Sequence, residues 1–268
     1  MTQHSTQIQA FDSIPLEADY PYQLRGSCPI CGDSSGFIIT ESYYRNTTKC
    51  ISCGSSPRHR ALFLEITTAL PDWQNKSIHE CSPGWDIVSK RLASECSSYV
   101  ASHYDKNQKP GSRVETSMPC KIYQCEDIEQ QTFQDCSFDA VIMQDVFEHI
   151  FDPIKAIREI ERTLKPAGFL IMTVPLVMGY STTRCRSSLD ASGNLIHHLE
   201  PEFHGNPIDS SGSLVTVDWG YDICSFIADH TFLLSSISKR TDQSMGIIGS
   251  LCEVVLGYKK PSPVSQHA

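Results

Sequence analysis

The sequence predicts an α/β fold, a largely parallel sheet covered by helices on both faces and preceded by a small four-cysteine metal module. Three observations carry this expectation. Downstream of Pro71, short apolar strands alternate with amphipathic helices, the order of a sheet buried on both sides. Upstream, Cys28, Cys31, Cys50 and Cys53 form two C-x2-C pairs. Within the downstream stretch, IHECSPGWDIVSKRL at residues 78–92 reads as strand, small-residue turn and helix, the unit from which such sheets are wound.

The 268 residues suffice for one large domain, or a medium domain with a small one, and 40% hydrophobic content supports a sizeable core. No apolar run approaches the ~18 residues of a membrane span. The opening MTQHSTQIQAFDS lacks a basic region followed by an apolar one, so no secretory leader is expected and a cytoplasmic setting is. The net charge of −9 argues against broad, sequence-independent nucleic-acid binding, although a local basic patch remains compatible with it. Clustered cysteines in such a chain point to metal rather than disulfides. The isolated Cys96, Cys136, Cys185, Cys224 and Cys252 read as small buried hydrophobes. The sequence sets no oligomeric state.

After an N-terminal tail at 1–21, residues 22–56 form the cysteine module. Two residues between cysteines let both thiolates of a pair reach one ion from a tight knuckle, and Gly32 and Gly54 follow the pairs where a positive φ is needed. The spacer FIITESYYR supplies a hairpin. Four thiolates suit tetrahedral zinc with every position filled, hence a structural site; a redox pair and rubredoxin-type iron are the alternatives. Residues 57–75 link onward through the helix of SSPRHRALFLEITTAL. Ser55 or Ser56 caps it, Pro57 fits its first turn, and Leu62, Ile66 and Leu70 share a face. Arg58 and Arg60 open this helix, either as a cationic patch for an acidic substrate or phosphate, or as a salt-bridged helix start.

Residues 76–258 hold the sheet. SIHEC, SSYVAS, CKIYQC, FDAVIMQ and GFLIMTVP are its strands, with helices at GWDIVSKRLASE and DPIKAIREIERTLK, a later helix at DWGYDICSFIADHTF and a last strand at EVVLGYK. Ligands of such sheets bind at the carboxyl ends of the strands, where Glu80, Asp127 and Asp145 fall. A long connection follows the fifth strand. Its 176–215 segment concentrates His197, His198, Glu200, Glu202, His204 and Asn206, and connections of that length are usually functional or disordered. Residues 259–268 form a C-terminal tail.

FDAVIMQDVFEHIFDPIKAIREIERTLKPAGFLIMTVP closely resembles the central signature of class I S-adenosylmethionine-dependent methyltransferases (type 11-like), whose sheet is Rossmann-like. The elements occur in order: a strand ending in a polar residue, an E-H pair, a D-P helix start, and the L-K-P-G-G turn, here LKPAG. The resemblance covers roughly residues 76–258. It implies that HECSPG stands where the family has its acidic-x-Gly-x-Gly loop, with Glu80 as the acid and Cys81, Ser82, Pro83 and Gly84 as the turn beneath the methionine moiety. The family's ribose-binding acid is absent from YVASHYDK, leaving Ser102, Tyr104 or Asp105. Asp127 is implied at the adenine amine, Ile128 against the ring, and Gln144 and Asp145 along the cleft. HHLEPEFHGNP and VTVDWGYDICSFIADHTF resemble a subgroup that often carries an N-terminal zinc ribbon and covers its active site with the histidine-rich segment.

These readings imply methyl transfer to an O, N or C nucleophile of a small-molecule or sugar-containing metabolite, with zinc as a structural ion. His149, His197 and His204 are the candidate bases. His198, Glu202 and Asn206 join Arg58 and Arg60 as candidate substrate contacts. RNA methylation, with the ribbon gripping RNA, is one alternative; a non-catalytic adaptor with a degraded cofactor loop is another. Each residue also has a structural reading: Glu80 and Asp127 as caps, His149 as helix-start packing, and the segment 176–215 as plain cover.

Overall fold

A computed structural model describes residues 20–177 and 182–261. Almost all of the two expected tails, and residues 178–181 of the expected lid, lie outside the described residues.

The module begins with three antiparallel strands, β1 (Tyr22–Leu24), β2 (Phe37–Ile39) and β3 (Thr48–Cys50), in the order β1-β2-β3. The expected hairpin is β2–β3, with Phe37 opposite Cys50. Its connection is more than a turn, because Tyr44–Thr47 forms a short helix, α1. Helix α2 (Pro57–Ala69) follows, with Ser56 at its N-cap and Pro57 at its first position.

The sheet has eight strands. They are β4 (Ser77–Cys81), β5 (Ser98–His103), β6 (Arg113–Glu115), β7 (Ile122–Cys125), β8 (Phe138–Gln144), β9 (Leu164–Thr173), β16 (Leu234–Ser238) and β17 (Val254–Tyr258), in the order β16-β17-β9-β8-β4-β5-β7-β6. The five central strands run parallel, whereas β17, β16 and β6 pair antiparallel at the two sides. Helix α3 (Ile87–Glu95) starts on Asp86, whose carboxylate accepts the Val88 and Ser89 N–H groups at 2.8 and 3.1 Å. Helix α4 (Pro153–Thr163) starts on Asp152, which accepts the Lys155 N–H at 3.1 Å. Helix α5 (Ile223–His230) precedes β16. Strands β6 and β16 are absent from the sequence reading. The first is three residues long and its central residue alone is apolar, and the second, LSSIS, has too few apolar positions to stand out.

The segment after β9 is built from three short antiparallel pairs rather than one irregular loop. Strand β10 (Arg184–Cys185) pairs with β15 (Val217–Asp218), β11 (Ser187–Leu189) with β12 (Leu195–His197), and β13 (Phe203–His204) with β14 (Ser213–Leu214). It is stitched to the chain just after β8: Thr216 donates its N–H to the Glu148 carbonyl at 2.8 Å and its hydroxyl to that of Ile150 at 2.6 Å, and the Trp219 indole N–H donates to the Phe147 carbonyl at 3.2 Å.

Two cores flank the sheet. One joins α4, α5 and their strands. The other merges Leu24, Phe37 and Ile39 of the cysteine module with Leu62 and Ile66 of α2 and with Ile78, Ile142 and Ile171 of the sheet. Each such side chain, fully buried, is worth roughly 1.5–3 kcal/mol, so the module is packed into the fold rather than tethered to it. Among the isolated cysteines, Cys96 and Cys252 are buried as expected, Cys224 is half-buried, and Cys136 and Cys185 are exposed.

Candidate active site

Strand β4 has β5 on one side and β8 on the other, so the strand order reverses there and a crevice opens beyond the carboxyl ends of β4 and β8. A cavity of about 1010 Å³ lies against these ends. Two residues beside it carry a left-handed backbone that non-glycine side chains rarely adopt, Ser82 after β4 and Asp145 after β8, each with φ of 53°. The Ser82 N–H donates to the Ser102 carbonyl at 2.7 Å, and the Asp145 N–H donates to the Thr173 carbonyl at 3.0 Å. Neighbouring strands thus hold both turns in place, which is how a glycine-poor loop takes a shape usually given to glycine.

The cavity wall includes Cys81, Ser82, Gly84, Tyr104, Asp127, Ile128, Gln144 and Asp145 from the expected cofactor set. Three members of that set lie elsewhere, for clear reasons. Pro83 is buried and does not border the cavity. Ser102 is buried, its hydroxyl held 2.8 Å from His79 Nε2. The wall residue at the end of β5 is instead His103, whose buried Nε2 has no hydrogen-bond partner.

Glu80 is wholly buried and supports the turn from behind instead of facing the cavity. It accepts the hydroxyls of Ser89 and Tyr99, both at 2.6 Å, and the Gln144 amide at 3.1 Å. Burial, with Asp86 nearby, raises its pKa from 4.5 to about 7. The folded protein therefore keeps a proton that the unfolded chain releases, and stability from this group falls as pH rises from about 4.5 through about 7. His59, His79 and His103, pushed down by burial, act in the opposite sense below pH 6.5. The expected result is that Glu80→Gln loses the Glu80 slope, so the difference between its stability–pH curve and that of the wild type changes steadily over this window. Parallel urea-denaturation curves would contradict it.

The cysteine module supplies part of the wall, which the sequence does not disclose. Tyr43, Arg45 and Asn46 border the cavity together with Arg58. Arg45 and Arg58 both donate to Asp145 Oδ2, at 2.7 and 2.9 Å, and Thr173 donates its hydroxyl to Oδ1 at 2.9 Å. The two guanidinium groups hold the buried Asp145 carboxyl below its usual range against the burial that would raise it. Arg60, expected beside Arg58 as a substrate contact, is fully buried and donates to the carbonyls of Ser55, Thr48 and Gly246. Residues two apart on a helix point about 200° apart, so only Arg58 reaches the cavity.

The cysteines converge. Cys28 and Cys53 Sγ lie 3.7 Å apart and Cys31 and Cys50 Sγ 3.8 Å apart. Tetrahedral zinc with bonds of ~2.3 Å needs sulfur–sulfur edges of ~3.8 Å, so the four residues fit that ion.

On the lid side, His149, His204 and Asn206 border the cavity, and Glu202 borders an adjoining cleft. His149 Nδ1 lies 2.9 Å from the Leu214 carbonyl, and Asn206 donates its amide to the Ser213 hydroxyl at 2.9 Å. His197 and His198 do not join them. They sit at the exposed end of the β11–β12 hairpin, paired with the Ser187 and Ser188 hydroxyls at 2.9 and 2.8 Å. Hairpin pairing turns them away, which their closeness in sequence to His204 conceals.

Residues 79–172 match the family described as "Methyltransferase domain". No curated protein matches the chain. Among solved structures, an S-adenosylmethionine-dependent methyltransferase from Mesorhizobium loti is similar at 14% identity and a TM-score of 0.46, over 74% of this chain and 98% of that one. The 1,6-didemethyltoxoflavin-N1-methyltransferase of Burkholderia thailandensis, solved with 1,6-didemethyltoxoflavin and S-adenosylhomocysteine, is similar at 11% identity and a TM-score of 0.48, over 76% of this chain and 78% of that one. No helix among the described residues is long and apolar enough to cross a membrane.

Proposed function

We propose that this chain, part of which matches a methyltransferase domain, is a class I S-adenosylmethionine-dependent enzyme that methylates an O, N or C nucleophile of a small-molecule or sugar-containing metabolite. The observation that carries the reading is the single cavity shared by the carboxyl ends of β4 and β8, the cysteine module and the lid residues His204 and Asn206. When bound, the cofactor supplies a methyl group already electrophilic on its sulfonium, so the protein's task is chiefly alignment.

The residues divide the work. The turn from Cys81 to Gly84 backs the methionine end. His103, with its free Nε2, and Tyr104 face the ribose hydroxyls in place of the absent acid. Asp127 meets the adenine amine and Ile128 its face. Arg58, with Arg45 behind it, offers positive charge to a carboxylate of cofactor or acceptor. His149, His204 and Asn206 position the acceptor from the lid side. Zinc on the four cysteines is structural, since four thiolates fill its shell.

With RNA as acceptor, the ribbon would grip the RNA and Arg58 and Arg60 would meet its phosphates. Arg60 is buried, so of that pair only Arg58, already paired with Asp145, borders the cavity. A small acceptor accords better with a cavity bordered by the lid.

Calorimetry with S-adenosylhomocysteine tests the cofactor half, and no binding to the zinc-loaded chain would end the reading. His204→Ala is expected to leave that binding nearly intact while lowering turnover roughly 10²–10⁴-fold, the usual contribution of a positioned polar group to the reaction. Unchanged turnover removes His204 from the site.

A further inference from the structure

We infer that Glu148, His149 and His204 form a second metal site, for a first-row divalent cation, at the lid side of the cavity; this deepens the acceptor-binding half of the proposed function and rests on it. Each of the three offers a ligand atom, and these atoms lie within 4.8 Å of one another. Among the described residues, the four cysteines are the other such group.

The Glu148 carboxylate is the first reason. Its side chain is 2% exposed, and neither oxygen has a hydrogen-bond partner. The nearest cationic candidates are His204 Nδ1 at 3.5 Å and His149 Nε2 at 3.7 Å from Oε1, too long for hydrogen bonds. An ionised carboxylate removed from water without donors is costly unless a cation accompanies it.

The second reason is independent and concerns the rings. His149 has its Nδ1 at 2.9 Å from the Leu214 carbonyl, an acceptor only, so that nitrogen carries the proton and Nε2 presents a lone pair towards Glu148. His204 has Nε2 at 3.4 Å from Glu202 Oε1, leaving Nδ1 on the Glu148 side. A backbone carbonyl behind one imidazole and a carboxylate behind the other is the outer arrangement that fixes metal-binding histidines.

Bonds of ~2.1 Å require ligand edges of about 3.0–3.4 Å. The two edges at Glu148 are 3.5 and 3.7 Å and the third is at most 4.8 Å, so side-chain adjustment closes the cage. Two imidazoles and one carboxylate suit manganese, iron, cobalt, nickel or zinc better than magnesium or calcium, which prefer oxygen. His149 and His204 border the cavity, so the remaining coordination positions face it, where an oxygen of the acceptor would complete the shell and have its pKa lowered.

Manganese(II) is the probe, because thiolates do not favour it and the cysteine site can be filled with zinc beforehand. Titration of the zinc-loaded full chain, followed by the loss of the free manganese paramagnetic resonance signal, is expected to show one bound equivalent. His204→Ala and Glu148→Gln should weaken it at least tenfold, and Glu202→Ala by roughly 10–100-fold through loss of ring orientation. Glu202 is exposed, so its variant serves if Glu148→Gln fails to fold. No binding at millimolar metal, or affinity indifferent to Glu202 and His204, overturns the site and leaves a plain histidine–glutamate pair. S-adenosylhomocysteine calorimetry on the same samples separates the two failures: cofactor binding without manganese binding sinks only the metal site, whereas absent cofactor binding sinks the methyltransferase reading itself.

Discussion

Stripping the proposed zinc is expected to unfold residues 22–56 and to weaken S-adenosylhomocysteine binding at least tenfold. A four-thiolate structural site contributes an apparent ~10–16 kcal/mol in small zinc modules, and three short strands of three residues each cannot replace that. The coupling to the cofactor follows from two contacts. Arg45 lies on α1, inside the hairpin that ends at Cys50, and Arg58 lies just beyond the Cys53 knuckle. Both hold Asp145 in its strained turn at the end of β8. Melting the module frees both arginines, leaves the half-buried Asp145 carboxylate without a cation, and loosens the turn beside the cavity. Chelator-treated protein and Cys50→Ser should therefore lose zinc, hydrogen-exchange protection in the module and cofactor affinity together. Full cofactor affinity in metal-free protein would show that the module is an independent appendage.

Arg60→Ala is expected to destabilise the protein by about 3–5 kcal/mol, the range for deleting a large buried side chain whose hydrogen-bond partners are then left unsatisfied. Arg60 is completely buried, and its guanidinium lies 4.4 Å over the Phe37 ring. It ties three chain segments: the knuckle through Ser55, strand β3 through the Thr48 carbonyl at 3.2 Å, and the loop before β17 through the Gly246 carbonyl at 2.6 Å. That loop cannot shift to compensate. Gly246 has φ of 62°, and a Cβ there would come within 2.8 Å of Phe37, so its backbone already abuts the ring. Urea denaturation measures the change. A loss below about 1 kcal/mol would mean that the carbonyls find water or other donors.

Several features were legible in the chain because they depend on local pattern. The period of apolar residues marks the five central strands and the helices, and DP at 152–153 marks the start of α4 by an N-cap and a proline at its first turn. The two C-x2-C pairs converge because a knuckle brings its own cysteines together within a few residues. Asp127, Gln144 and Asp145 could be placed beside the cavity because the parallel topology delivers strand ends to one edge of the sheet.

What the sequence by itself determined, then, is the α/β class, the four converging cysteines and the edge of the sheet on which the candidate site lies. The tertiary structure alone decided which polar residues face that site. Glu80 and Ser102 occupy strand ends like their neighbours, yet packing from α3 and pairing with His79 bury them. Arg58 and Arg60 are two residues apart on one helix, and a rotation of about 200° sends one to the cavity and the other into the core. His198 and His204 are six residues apart, and the pairing of two short hairpins puts only the second beside Glu148. No local rule encodes these outcomes, because each depends on contacts between segments distant in the chain, such as Arg45 with Asp145 or Thr216 with Glu148, whose geometry exists only after the sheet, the lid and the cysteine module have packed together.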